Sequence, residues 1–242
     1  MKANISFKNV LFFVFTLIFL LNLPVGISAS FLKRDSEKVK KNASSEILSM
    51  YDQLQLRQMG LSQNAFVLAM QGFEKLKLAG KIINQQVISI IDFSKSSNEK
   101  RLFVFDVGSG CLLFNTYVAH GRNSGAEFAK CFSNQPSSNQ SSLGFFETCN
   151  TYFGKHGYSL TLRGLEIGIN DLANQRSIVF HGASYVSEAV IRTQGYLGRS
   201  LGCPAVPEKL SKPIIDKIKN GSCLFIYSND QNYLNKSSLV HS

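Results

Sequence analysis

The stretch that decides the fold runs from Ile178 to Val206 and reads IVFHGASYVSEAVIRTQGYLGRSLGCPAV. Its apolar opening, Ser177 to Phe180, reads as a buried strand that delivers His181 at its end. Some twenty positions later, Gly198-Arg199-Ser200-Leu201-Gly202-Cys203-Pro204 sets a cysteine in a turn. Gly202 permits a tight turn or a close backbone approach to a ligand. Pro204 removes a donor and fixes the chain direction just after the thiol. A thiolate is a nucleophile, and an imidazole within reach takes and returns its proton, which is the chemistry of acyl transfer. The N–H groups of Gly202 and Cys203 are the natural oxyanion donors, each worth roughly 3 kcal/mol. Each residue also has a plainer reading. A lone buried cysteine is a small core hydrophobe, and a lone histidine at a strand end is a satisfied structural group. Spacing alone leaves both readings open.

Outward from this stretch, short β-branched or aromatic runs recur: Val87 to Phe93, Leu102 to Val107, Cys111 to Ala119, Tyr158 to Leu162 and Cys223 to Tyr227. Gly, Ser, Asn and Asp separate them. Val107-Gly108-Ser109-Gly110-Cys111 reads as a hairpin turn. One helix is expected over Leu210 to Lys219, with Pro207 near its start, lysines in its last turn and Gly221 after it. Before the strands, Ile47, Leu48, Tyr51 and Leu54 approximate a helical stripe that Gly60 would stop. Ser62 is an N-cap for a second helix whose apolar face includes Phe66, Met70 and Phe73, with Gly80 at its end. The fold class is α+β, a mainly β domain preceded by a helical hairpin that is scaffold or a wall of the cleft. Asn123 to Ser142 is a polar Ser/Asn/Gln loop, of a length that is usually functional or mobile. It reads as part of a substrate groove or as a surface excursion.

The chain has 242 residues, enough for one domain with accessory segments. Hydrophobic content of 44% against 17% charged excludes a disordered chain. Lys2 and Lys8, the apolar run Val10 to Leu23 and Ile27-Ser28-Ala29 read as a signal peptide cleaved after residue 29. The run is short for a span of about twenty residues, so no stable membrane anchor is expected after cleavage. Two of the 26 basic residues and none of the 16 acidic ones lie in that segment. The net charge of +10 thus falls to +8 from Ser30 onward. An exported basic protein would be held near an anionic surface such as a bacterial wall, unless the charge serves solubility alone. No zinc-finger spacing or arginine-rich helix points to nucleic acid. No metal-ligand spacing appears, so neither metal nor cofactor is expected. An odd set of five cysteines in an exported chain suggests one free thiol. Cys203 is the natural one, and Cys111, Cys131, Cys149 and Cys223 form disulfides in one of three pairings or remain single thiols.

Taken together, His181-Gly182 and Ser200-Leu201-Gly202-Cys203-Pro204-Ala205 resemble the L,D-transpeptidases of the YkuD type. The likeness is to the branch of murein L,D-transpeptidase catalytic domain proteins. The segments VAHGRNSG from Val118, FSNQPSSNQSSLGFF from Phe132 and YFGKHGYSLTLRGLEIGIND from Tyr152 resemble that branch too, and the likeness extends from about Phe66 to Tyr233. Leu201 stands where most of the family has a second histidine. The resemblance implies a mixed β-sandwich and an exported cysteine acyltransferase of the periplasm or cell envelope, with peptidoglycan stem peptides as partners. It implies Cys203 as nucleophile, His181 as base, Gly202 in the oxyanion hole and the Gly182 carbonyl orienting the imidazole. Ser200, Arg199 and His120 would touch substrate. Arg199 would hold a carboxylate through its planar fork or form a surface ion pair, and His120 has an equally open structural reading at its strand end. The product would be a 3–3 cross-link. Water as acceptor would instead make a carboxypeptidase or a cross-link-cleaving hydrolase, and an inert thiol would leave a wall-binding protein. The expected layout is signal peptide 1–29, basic linker 30–45, helical hairpin 46–85, catalytic domain 86–230 and tail 231–242. Nothing in the sequence sets an oligomeric state.

Overall fold

The computed structural model describes residues 45–241. The expected signal peptide and almost all of the linker lie outside the described residues. Among the described residues, no helix is long and apolar enough to cross a membrane. The domain is α+β, with a mainly β architecture and few helices. A helix over 45–53 (α1) is followed by α2, Gln63–Leu78. Ser62 caps α2 by accepting from the Ala65 N–H, and Gly80 follows with φ +63°.

The strands are β1 Val87–Asp92, β2 Leu102–Asp106, β3 Cys111–Thr116, β4 Gly144–Gly154, β5 Gly157–Gly164, β6 Val179–Ala183, β7 Ala205–Pro207 and β8 Cys223–Tyr227. They join into a single eight-stranded sheet in the order β3-β2-β1-β8-β4-β5-β6-β7. The pairs β1–β8 and β6–β7 are parallel and the rest antiparallel. The helices that follow are α3 Glu188–Gln194, α4 Glu208–Ile218 and α5 Gln231–Lys236.

The central strand β8 is buried at every position, as β1 is. A strand covered on both faces reads as a continuous apolar run, and CLFIY does. Phe225 of β8 stacks on Phe145 of β4 with ring centroids 4.2 Å apart. Helix α2 lies over this core at Gly72, where a Cβ would come within 2.1 Å of the Phe145 ring. The hairpin segment and the sheet therefore share one core: Phe66 and Phe73 are buried in the same cluster as Phe145 and Phe225.

At the other end of the sheet, β6 lies between β5 and β7, with His181 paired to Ser159 and to Ala205. Helix α4 packs against β6. A Cβ on Gly182 would lie 2.8 Å from Ser211 Cβ and 3.2 Å from Glu208 Cα, so glycine lets the helix press on the residue after the histidine. The segment leading to His120 continues past β7 through bridges at Ala119–Ala205 and Gly121–Ser200. The turn carrying Cys203 is thus held on both sides by main chain.

Candidate active site

The strand expected over Ser177 to Phe180 is instead β6, Val179–Ala183, so His181 stands in the middle of the strand, paired on both sides, and not at its end. Cys203 comes from the turn before β7, and both residues line one cleft of about 400 Å3. The His181 ring is almost fully buried, and its Nδ1 meets the Gly182 carbonyl at 2.9 Å. A carbonyl only accepts, so Nδ1 carries the proton and Nε2 keeps its lone pair. Burial lowers the pKa of His181, the Gly182 bond works against that, and His156 adds to the lowering. The imidazole is therefore held neutral, as a base must be. The His156 ring stacks on it, with centroids 4.2 Å apart and planes at 23°.

Cys203 is half-buried. Its Sγ accepts from the Val179 N–H at 3.4 Å and points its S–H toward the Ser177 carbonyl at 3.7 Å. Ser177 has φ +53°, a left-handed conformation that costs a non-glycine residue energy and tends to occur at functional sites. Burial raises the thiol pKa, while the Val179 N–H and the Arg176 charge pull it back. The resting pair is a neutral thiol and a neutral imidazole. No hydrogen bond joins them, although they share the cleft; such bonds often close only when substrate is bound.

The turn itself is built by Ser200 and Gly202. Ser200 Oγ donates to the Cys203 carbonyl at 2.6 Å and accepts the Gly202 N–H at 3.0 Å. This engages one of the two expected oxyanion donors, because the serine hydroxyl reaches over the turn. The Cys203 N–H has no partner among the described residues. Gly202 adopts φ +124°, and a Cβ there would lie 2.8 Å from the Gln140 carbonyl. The polar loop thus presses its backbone on the cysteine turn, and Ser141 Oγ donates to the Gly202 carbonyl at 3.2 Å. None of its residues lines the cleft. It backs the Cys203 turn rather than walling a groove.

The three residues expected at substrate divide. Ser200 is only 5% exposed and spends its hydroxyl inside the turn, although it reaches the cleft's lining. Arg199 lines the cleft, donates to the Gly125 carbonyl at 3.3 Å and lies over the Tyr196 ring, with no carboxylate partner. A surface ion pair is therefore not its arrangement.

His120 is 1% exposed and does not line the cleft. The buried Arg101 donates to its Nδ1 at 2.8 Å, and its Nε2 donates to the Gly125 carbonyl at 3.3 Å. Burial, with the Arg101 charge, pushes its pKa down to about 3. Substrate contact does not fit that placement, because both ring nitrogens are committed inside the protein. All five cysteines are unpaired, with Cys223 in the core and Cys111 and Cys131 exposed.

Residues 57–227 match the family model described as the L,D-transpeptidase catalytic domain. The chain belongs to the L,D-transpeptidase catalytic domain family. Solved structures give more distant likenesses. An L,D-transpeptidase from Mycobacterium smegmatis is 13% identical over 59% of this chain and 59% of its own, at a TM-score of 0.36. L,D-transpeptidase 3 from Mycobacterium tuberculosis is 9% identical over 59% of this chain and 61% of its own, at 0.38. The helical cell shape determining protein Pgp2 from Campylobacter jejuni is 11% identical over 60% and 48%, at 0.37. The match spans about three fifths of the two mycobacterial chains or less. A comparison with curated proteins finds no match.

Several residues that line this L,D-transpeptidase domain's cleft stand outside the candidate site set, among them Tyr152, Lys155, His156, Arg176 and Tyr185. The pKa of Tyr185 is pushed up to about 12, by burial and then by Cys203. The glycines around Lys155-His156 mark a hairpin tip between β4 and β5 in the sequence, but only the fold stacks that tip on His181.

Proposed function

We propose that the protein is an exported L,D-transpeptidase that acts on peptidoglycan stem peptides through a thioester on Cys203. The observation that carries this reading is the pairing, in one cleft, of a thiol with an imidazole whose tautomer is fixed by the Gly182 carbonyl. The His181 Nε2 takes the Cys203 proton as Sγ attacks the carbonyl of the stem's third residue. The Cys203 N–H faces the developing oxyanion. The C–N bond to the terminal D-alanine breaks, and His181 returns its proton to that amine. An acceptor amine then attacks the thioester and gives its proton to His181, the C–S bond breaks, and His181 passes the proton to Sγ, restoring the thiol and leaving a 3–3 cross-link. The Arg199 guanidinium, free of any carboxylate, holds a carboxylate of the stem. Leu201, 57% exposed, puts an apolar side chain into the cleft where most relatives have histidine.

The mature chain starts after residue 29 in this reading, and its basic charge keeps it at the anionic wall of the periplasm or cell envelope. The segment 46–85 is scaffold for the catalytic domain over 86–230.

The test is intact-protein mass spectrometry of the mature protein with a disaccharide-tetrapeptide. A mass gain with release of D-alanine is expected. Cys203→Ala should abolish it, and His181→Ala should reduce it by at least two orders of magnitude. An undiminished adduct in Cys203→Ala refutes the nucleophile. Dimeric products support the transpeptidase, and tripeptide alone would move the assignment to a carboxypeptidase.

A further inference from the structure

Arg176 precedes β6, at the turn that leads to Ser177 and Val179, the two residues touching the Cys203 sulfur. Its guanidinium makes four hydrogen bonds. Nη1 donates to the Ser133 carbonyl at 2.6 Å and to Ser142 Oγ at 2.5 Å, and Nη2 to the Gln140 carbonyl at 2.6 Å and to Ser138 Oγ at 3.2 Å. Every acceptor is neutral. No carboxylate pairs with it among the described residues, and its Nε is buried without a partner. A guanidinium keeps its charge in a protein, and a charge without a counter-ion in a half-buried site costs free energy. A clamp for the loop would work as well with a neutral donor, so the retained charge calls for a use.

That use lies within reach. Arg176 Nη2 is 3.3 Å from where a Cβ on Gly202 would stand, and Arg176 lines the same cleft as Cys203. Among the described residues, no acidic one lines that cleft. The polar groups lining the cleft with the thiol are the Ser177 carbonyl and the Val179 N–H, the neutral His181, Tyr185 after β6, Arg199 and Ser200 before the cysteine, Tyr152 of β4, and Lys155 with His156 at the β4–β5 tip. Of the cations, Arg199 and Lys155 belong to exposed residues. Arg176 alone is fixed by four bonds, and its field acts on the sulfur.

We propose that Arg176 is a positioning residue for the acyl-transfer step: its guanidinium pins the 133–142 loop behind the Cys203 turn and presents an uncompensated positive charge to the thiolate. This rests on the reading of Cys203 as the nucleophile. The charge favours the anion that forms as the proton leaves for His181.

The test is the pH dependence of Cys203 alkylation by iodoacetamide in the mature protein, read on the Cys203 peptide so that the exposed Cys111 and Cys131 do not interfere. The midpoint of the profile reports the charge, and the plateau at high pH reports access. In Arg176→Gln the midpoint should rise by about one unit, a tenfold slower reaction at neutral pH, with the plateau unchanged. Arg176→Lys should keep the midpoint near that of the wild type. Ser138→Ala with Ser142→Ala, which weakens the clamp and leaves the charge, should keep it too.

An unmoved midpoint in Arg176→Gln overturns the proposal, and so does an equal shift in the serine double variant. If Arg176→Gln does not fold by circular dichroism, Arg176→Lys decides alone: a midpoint near wild type supports the charge, and a full-unit rise overturns it. Alkylation uses no stem peptide. A normal alkylation profile without acylation by tetrapeptide would therefore count against the proposed substrate and not against Arg176.

Discussion

At the scale of single residues, the site depends on how one hydroxyl is spent. Ser200 Oγ bridges the Gly202 N–H and the Cys203 carbonyl, and so fixes the direction in which the Cys203 N–H points. Its backbone is held separately, by the His120 carbonyl and the Arg122 N–H. Ser200→Ala should therefore leave the chain in place and loosen the turn. The expected cost is about 1–2 kcal/mol, for one lost pair of hydrogen bonds and one unsatisfied carbonyl. Acylation kcat should fall roughly tenfold, part of the worth of an aligned oxyanion donor, with KM nearly unchanged. Steady-state kinetics on a tetrapeptide check this, and a raised KM at constant kcat would instead mean that Ser200 touches substrate. Cys203 and His181 are legible in the sequence because glycine and proline frame the cysteine and a buried apolar run leads into the histidine, although β6 carries on through Ala183 rather than ending before His181. Arg176 and Tyr185 are not, because their place at the cleft comes from the fold and nothing in their own neighbourhoods announces it. His156, in Gly-Lys-His-Gly, offers a cleft or a structural reading in the sequence, and the fold stacks it on His181. Of the two readings open for His120, the structural one fits its burial, and its partner Arg101 is close only in space.

At the scale of elements, the histidine is aimed by the seam between β6 and α4. The absence of a side chain on Gly182 lets Ser211 and Glu208 approach the strand. Gly182 does not have positive φ, so alanine there is a problem of space alone. Gly182→Ala should cost about 2 kcal/mol by overpacking and displace His181, lowering the rate of Cys203 acylation. Adding Ser211→Gly removes the nearest atoms that the new methyl meets, leaving Glu208 Cα at 3.2 Å, and should recover most of both losses. Thermal unfolding and acylation rates of the single and double variants measure this coupling, and additive effects would show that the seam is not the cause. Most strands and the capped start of α2 could be read from periodicity and from Ser62. The strand β4 could not be read that way, because Gly144, Glu147 and Asn150 interrupt its pattern. Nor could the single sheet, since β8, the last strand in the chain, lies between β1 and β4, far from both in sequence. Helix α4 was expected from Leu210 and begins at Glu208, with Pro213 inside it. Its inward face of Ile214, Ile215 and Ile218 outweighs the lost hydrogen bond.

At the scale of the whole molecule, the C-terminal segment is tied to the sheet through one buried carboxyl. Glu166, 6% exposed, accepts from the Phe145 N–H at 2.8 Å, from the Tyr233 hydroxyl at 3.3 Å and from the Ser237 hydroxyl. These bonds link the loop after β5, the start of β4 and helix α5. No cation pairs with the carboxyl, and burial raises its pKa above 4.5 despite the three donors. A carboxyl whose pKa is higher in the folded than in the unfolded chain stabilises the fold fully below the unfolded value. That stabilisation is lost as pH rises through the folded value. The loss therefore begins near pH 4.5 and is complete at neutral pH if the folded carboxyl has titrated by then. Glu166→Gln keeps the shape, the acceptor for Phe145 and a partner for the Ser237 hydroxyl, and it removes the charge. It should match wild type near pH 4 and exceed it at pH 7 by about 1 kcal/mol, roughly 2–4 °C in Tm for a domain of this size. Thermal melts of the two proteins across that range give the difference curve directly. A flat difference would mean that the carboxyl titrates alike in the folded and unfolded chain, with its three donors balancing burial. The cleft should be indifferent to the change, because Glu166 does not line it. Equal alkylation rates at Cys203 in both proteins would establish that the stability of this corner and the reactivity of the thiol are set independently.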